Sequence, residues 1–200
     1  ADSEGVWLTL RDVTLEWTRS ALLRGRLEVN QLTAQEIILE RQPNTQASEP
    51  RLDPENAVAK PFALPDLPVS VNIGEISAAR VELGAPVLGE AVTLSLDGSL
   101  SLEGGDGAAR LAVERLDDEG MLTLDAGYSN ETRVLALELE LREGPGGIVS
   151  GVLNMPDRPA LGLTLRGEDP IDDYEARLAL LRNDIPRLTG VVRVTGEKPT

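Results

Sequence analysis

Glu168, Asp169, Asp172 and Asp173 flank Pro170 and gather enough carboxylate oxygen to suggest a site for a hard cation. Their spacing lacks the ordered ligand positions of a calcium-binding helix-loop-helix, and an acidic solvated loop accounts for them. Gly104-Gly105-Asp106-Gly107 resembles one unit of a calcium-binding nonapeptide array, but it occurs once and does not recur at a fixed period, so it reads as a hairpin turn. Asn130-Glu131-Thr132 has the form of a glycosylation acceptor and falls where a turn belongs. Glu138 and Glu140 share the wet face of one strand. The chain has no histidine and no cysteine, which removes Ser-His-Asp and Cys-His catalysis, histidine metal sites and disulfides. It shows no phosphate loop, nucleophile elbow or dinucleotide fingerprint. The expectation is a protein that is not an enzyme, with no catalytic residue, cofactor or metal.

The formal net charge of -15 argues against a nucleic-acid partner, which needs a basic footprint, and against electrostatic docking on an anionic membrane. Hydrophobic residues make up 41% of the 200, enough for a substantial apolar interior. The aromatics are only Trp7, Trp17, Phe62, Tyr128 and Tyr174, so that interior is aliphatic and dominated by leucine. No stretch reaches the roughly 18 to 20 apolar residues of a membrane span, and Ala1-Asp2-Ser3-Glu4-Gly5 lacks signal-peptide character. A soluble piece of a longer protein is expected.

The elements that carry these residues are strands. From Ala91 to Arg142 apolar and polar residues alternate in four segments, a β-meander. Leu94, Leu96, Leu100 and Leu102 form the greasy side of the first segment, and Leu135, Leu137, Leu139 and Leu141 that of the last. Leu111 and Val113, flanked by Arg110, Glu114 and Arg115, and then Leu122 and Leu124 lie between them. Turns fall at 104–107, 117–120 and 129–132. Sequential strands with short turns predict antiparallel pairing.

Upstream, Val6–Leu10 and Val13–Trp17 predict a hairpin turning at Arg11-Asp12, followed by a helical turn from Ser20, as cap, to Gly25, as stop. Strands at 26–33 and 36–41 complete an N-terminal unit, residues 1–41, with Leu27, Val29, Ile37 and Leu39 inward. Residues 42–68, with Pro43, Pro50, Pro54, Pro61, Pro65 and Pro68, predict a long mobile loop whose end, Pro61–Pro65, packs back on the body. Residues 69–200 then continue the sheet through strands at 69–76 and 79–83, a bend at 84–89 and the meander. A short helix is expected at 148–153, with strands at 161–165, 174–181 and 188–195. The fold class is all-β with one or two short helices.

The run from Gly5 to Val29, with two strands ending in Trp17, the Ala21-Leu22-Leu23 helix and Gly25 leading into another strand, resembles the N-terminal periplasmic region of the TamB family and its AsmA-like relatives. Leu67–Val71, Leu83–Glu90 and Leu94–Gly98 extend the resemblance, and the composition is similar to that of α-proteobacterial members. The resemblance implies a slice of a long periplasmic β-groove, a β-taco, held at the inner membrane by an N-terminal helix absent from this chain. It also implies a TamA-like outer-membrane barrel as partner through a missing C-terminal region, and a role in phospholipid transport or in outer-membrane protein assembly and export. It carries over no catalytic residue.

Periodicity leaves two architectures open. A curled antiparallel sheet would leave an aliphatic groove suited to phospholipid acyl chains or unfolded β-strands, with Leu94, Leu96, Leu100, Leu102, Leu135, Leu137, Leu139, Leu141, Leu161, Leu163 and Leu165 along it. A closed β-sandwich would bury the same residues against a second sheet, giving a structural or adhesive domain without lipid cargo. Free edges of an open groove would further favour an edge-to-edge homo-oligomer. A local bulge would reverse which residues face inward.

Overall fold

The structure, a computed structural model, describes residues 5–43, 63–65 and 70–195. Ten strands form one sheet in chain order: β1 (Leu8–Trp17), β2 (Arg26–Leu39), β3 (Ser70–Leu83), β4 (Val92–Glu103), β5 (Asp106–Arg115), β6 (Gly120–Ser129), β7 (Val134–Glu143), β8 (Leu161–Pro170), β9 (Asp173–Arg182) and β10 (Ile185–Thr195). β1 and β10 are its edges and do not pair with each other, so the sheet is curled and open, and the described residues form no closed sandwich. Three short helices, α1 (Arg19–Leu22), α2 (Ala85–Leu88) and α3 (Ile148–Val152), sit at strand ends.

From β3 onward every pairing is antiparallel, as the short turns dictate. Gly104 and Gly105 adopt φ of 58° and 85°, the left-handed pair that a two-residue hairpin between β4 and β5 requires. One pair departs from the antiparallel expectation: β2 and β3 run parallel, from Arg26 opposite Ser70 to Leu39 opposite Leu83. A parallel pair needs a crossover of a dozen or more residues, and the proline-rich stretch supplies it. The expected loop falls largely at 44–62 and 66–69, outside the described residues.

The predicted N-terminal hairpin is not formed. β1 is a single strand laid along β2, and Arg11-Asp12 is a kink within it, with Asp12 at φ 47°. Leu10 and Val13 both pair with apolar residues of β2, Ile37 and Ala34, although they stand three apart. The same step of three recurs between Ala34 and Ile37 in β2 and between Ala78 and Val81 in β3. It recurs lower down between Val29 and Leu32 and between Ile73 and Ile76. β4 has no such step, so the register slips between β3 and β4 at both levels. Each slip inserts one residue and returns the apolar side chains to one face. Segments predicted as separate strands at 26–33 and 36–41, and at 69–76 and 79–83, are therefore single bulged strands. The inward positions Leu27, Val29, Ile37 and Leu39 pair with Val71, Ile73, Val81 and Leu83.

α1 starts one residue before the expected cap: Thr18 holds the N-cap position and Ser20 lies inside, while Gly25 at φ 70° ends the turn. At the other end of the parallel pair, the Gly84 N–H donates to the Leu39 carbonyl at 2.8 Å. A Cβ there would lie 2.3 Å from the Glu40 carbonyl oxygen, so only glycine allows the approach. Gly84→Ala is expected to lower stability by about 1–3 kcal/mol. Gly190→Ala, on the edge strand with nothing within 4 Å, serves as the control. Thermal unfolding followed by circular dichroism checks this; equal midpoints for the two variants would contradict the packing described.

Candidate hydrophobic groove

Residues directly paired across a ladder point to the same side of the sheet. One apolar row runs from β1 to β9: Leu15, Leu32, Ile76, Gly98, Leu111, Leu124, Leu139, Leu165 and Leu178. A second runs beside it through Ala34, Ala78, Leu96, Val113, Leu122, Leu141, Leu163, Leu180 and Leu188. A third carries Leu100 and Leu137 through Ala109 and Ala126. Leu94 pairs with Val81, Leu102 with Val71, Leu135 with Tyr128 and Leu161 with Glu143, all on that same face. The eleven leucines singled out from the sequence thus share one side. Leu161 is buried, Leu100 is 39% exposed, and the others are half-buried.

Among the described residues no second sheet covers this face. The substantial element contacts are between neighbouring strands, apart from α1 against β2. Exposure rises toward both edges, with Leu10, Val13 and Leu15 on β1 and Leu188, Val192 and Val194 on β10 all more than 40% exposed. The opposite face carries Asp97, Arg110, Asp125, Glu138, Arg166, Glu175, Arg177 and Arg193, tied into cross-strand ion pairs such as Arg110–Asp125, Arg166–Glu138 and Arg193–Glu175. A surface hollow of about 950 Å³ lies on this polar side among Glu138, Arg166, Glu175 and Arg177. A twisted sheet is hollow along one diagonal of each face, and the chemistry of the lining distinguishes the two sides.

Both strand ends of the apolar face are walled. At one end α3 folds over it, so that Ile148 and Val149 face Leu94, Val113, Leu122 and Leu141 across a cavity of about 200 Å³. The β-branched residues and Gly151 oppose a helix here. The Glu143 carboxylate counters them by accepting the N–H groups of Val149 and Ser150, both at 2.8 Å. Gly147 must be glycine because a Cβ would lie 2.2 Å from that carboxylate carbon. Arg158 then clamps the wall: its guanidinium donates to both oxygens of Glu90 at 2.8 and 2.7 Å and to the carbonyls of Gly146 and Gly147. These hydrogen bonds hold the Glu90 carboxyl below its usual 4.5, with Arg115 contributing charge.

At the other end Ala63-Leu64-Pro65 packs back as the sequence suggested. Asn130 accepts the Leu64 N–H at 2.8 Å and returns a hydrogen bond to the Leu64 carbonyl at 3.0 Å. The Leu64 side chain fills the space where Gly107 lacks a Cβ, on the apolar side between Leu102 and Tyr128. The turn at Asn130 is therefore also a latch for the crossover. The acidic knot does not converge: Asp172 pairs with Arg133 through two bonds of 2.7 Å, and no group of three metal-ligating side chains gathers among the described residues.

Arg115 and Glu143 were legible only by parity. Arg115 continues the series Leu111, Val113, and Glu143 continues Leu139, Leu141, so both are charged residues on the apolar face at its walled end. Reading Arg115 simply as a flanking polar residue missed this. Among the described residues, no helix is long and apolar enough to cross a membrane. Compared with protein-family models, curated proteins and solved structures, the chain matches none.

Two outcomes follow from the walls. Asn130→Ala removes both bonds to Leu64, so the Leu64 amide is expected to exchange with solvent at least about tenfold faster while Leu111 and Leu124 are unchanged; unchanged Leu64 protection would contradict the latch. The Glu90 carboxyl is lowered in the folded state, so its stabilisation is complete above 4.5 and is lost as pH falls through the lower folded value. Between about pH 5 and about pH 3 the wild type should lose more stability than Glu90→Gln, as measured by urea unfolding. Parallel losses would contradict the clamp.

Proposed function

We propose that this chain is a periplasmic segment of a TamB-like protein whose β-groove carries phospholipid acyl chains between the inner and outer membranes. The observation that supports this reading is an apolar face continuous across ten strands and reaching both edges, with no second sheet over it among the described residues. Adjacent strands lie about 4.8 Å apart, so the bed extends on the order of 40 Å across them. Each methylene taken from water contributes about 0.8 kcal/mol, enough for several to hold a chain. The rows of leucine repeat from strand to strand, so a bound chain could shift by one strand and meet nearly the same surface. Binding and sliding are compatible on such a bed.

The same proposal gives the protein a TamA-like outer-membrane barrel as partner and an anchorage at the inner membrane. The free edges favour a related use. Among the described residues β1 and β10 are paired along one side only, and every residue of β10 is exposed. An unfolded outer-membrane strand, or a second copy of this chain, could add there by β-augmentation.

The test is native mass spectrometry with lipid extraction on protein purified from a bacterial host, beside Leu137→Asp. Leu137 lies on the apolar face between Ala126 and Gly167, so a carboxylate there interrupts the bed without disturbing a packed core. The wild type is expected to retain phospholipid, and the variant to fold by circular dichroism and retain several-fold less. A wild type without lipid, together with an unfolded variant, would overturn the proposal.

A further inference from the structure

The groove is not uniform along its walled end. Beneath α3 the cavity of about 200 Å³ is lined by Leu94, Val113, Leu122, Leu141, Ile148 and Val149, and Arg115 also borders it. A second, open hollow of about 890 Å³ wraps the rim of the sheet, bordered by Arg115, Asp118 and Glu119 and by Glu114, Met121 and Arg142 of the polar face. Gly120, Met121 and Leu141 border both, so the apolar cavity and the polar hollow adjoin at Arg115.

The Arg115 side chain is only 9% exposed. Its Nε and Nη2 donate to Asp117 at 3.1 and 3.2 Å, and its Nη1 stands 3.9 Å from Glu90, beyond hydrogen-bond reach. Nη1 is buried with no acceptor. A buried guanidinium N–H without an acceptor is costly, and an oxygen-bearing ligand would relieve it. The surrounding carboxylates disfavour a free anion and favour a head that is positive at its outer end.

We propose that this is a registration site for one zwitterionic phospholipid, with a glycerol-ester or phosphate oxygen on Arg115 Nη1, the ammonium toward Asp118 and Glu119, and the start of one acyl chain under α3. The assignment rests on the lipid reading above and deepens it: cargo does not lie anywhere along the bed but is anchored by its head at this wall. At about 30 Å³ per heavy-atom group, the cavity takes the first six or seven methylenes, and the rest of the chain continues over the leucine rows.

The test is a titration of ¹⁵N-labelled protein with dihexanoyl phosphatidylethanolamine below its micelle concentration, beside dihexanoylglycerol and inorganic phosphate. The phospholipid is expected to shift the Arg115 Nε–H signal and the amides of Leu122, Leu141 and Val149. Arg115→Met should weaken it at least about tenfold, with dihexanoylglycerol weaker still on the wild type. Val113→Phe, which fills the cavity and leaves the arginine, should weaken it similarly and decides the matter if Arg115→Met does not fold. An apolar dye should bind wild type and variants alike through the rest of the face. Shifts spread along the face with equal affinity in both variants would overturn the registration site and leave the groove. Inorganic phosphate reproducing the shifts would reduce it to a simple anion site and overturn it. Neither dye nor lipid binding would remove the lipid reading as well.

Discussion

Cross-strand register is the constraint on which the rest depends. With a side-chain period of two, a slip of one residue anywhere in the sheet would turn a strand's leucines to the charged face and its charges to the apolar one. From β4 to β9 the ladder runs without a slip, held by short hairpins. From β1 to β3 the alternation breaks, and matched insertions restore it: Arg11-Asp12 stands beside Gln35-Glu36, and beside Ala79-Arg80 in the next strand. An ion pair from Arg11 to Glu36 ties that level together on the polar side. The result is one face for apolar residues across the whole sheet, despite a parallel pair in its midst.

A sheet with a single apolar face and, among the described residues, no second layer leaves that face half in water. Among the described residues the buried apolar ones are few and scattered, including Ala21, Val29, Ala78, Val92, Leu161 and Ala176. Polar interactions do the work of definition at the ends. Glu143 caps α3, Arg158 joins α3 to Glu90 beside α2, and Asn130 fastens Leu64 over Gly107. Two of these devices need a glycine at the point of closest approach, Gly147 under the Glu143 carboxylate and Gly107 under Leu64. The walls bound the face along its length and leave it open toward the edge strands.

The fold was legible where chemistry is local. Alternating leucines and the turn residues at 104–107, 117–120 and 129–132 identify β4 to β7, and the eleven candidate residues fall on one side because period two is preserved from β4 to β8. Legibility failed where two local structures share one signal. Arg11-Asp12 breaks the alternation as either a hairpin or a bulge would, and the choice depends on β2 lying alongside. Direction failed at the crossover, since nothing within 26–39 or 70–83 states whether those strands run together or opposed. The charged members of the apolar face, Arg115 and Glu143, were visible in the parity, but their types pulled the reading toward solvent. Asn130 looked like a turn residue and is one; its partner Leu64, 66 positions away, is a tertiary fact.

An aliphatic face that the described residues leave without a second layer gives a physical basis for carrying acyl chains, and the edge strands give one for extension by further strands. Both rest on the face being accessible in the folded protein. The chain has no cysteine, so a single thiol can report on each side. The most direct measurement is the maleimide labelling rate of Leu139→Cys, at the centre of the apolar face, against Thr164→Cys on the polar face. The account predicts rates within about tenfold of each other in the folded protein, with phospholipid slowing the first alone. A Leu139→Cys thiol labelled more than about a hundredfold slower in lipid-free protein would mean a sealed core and contradict it.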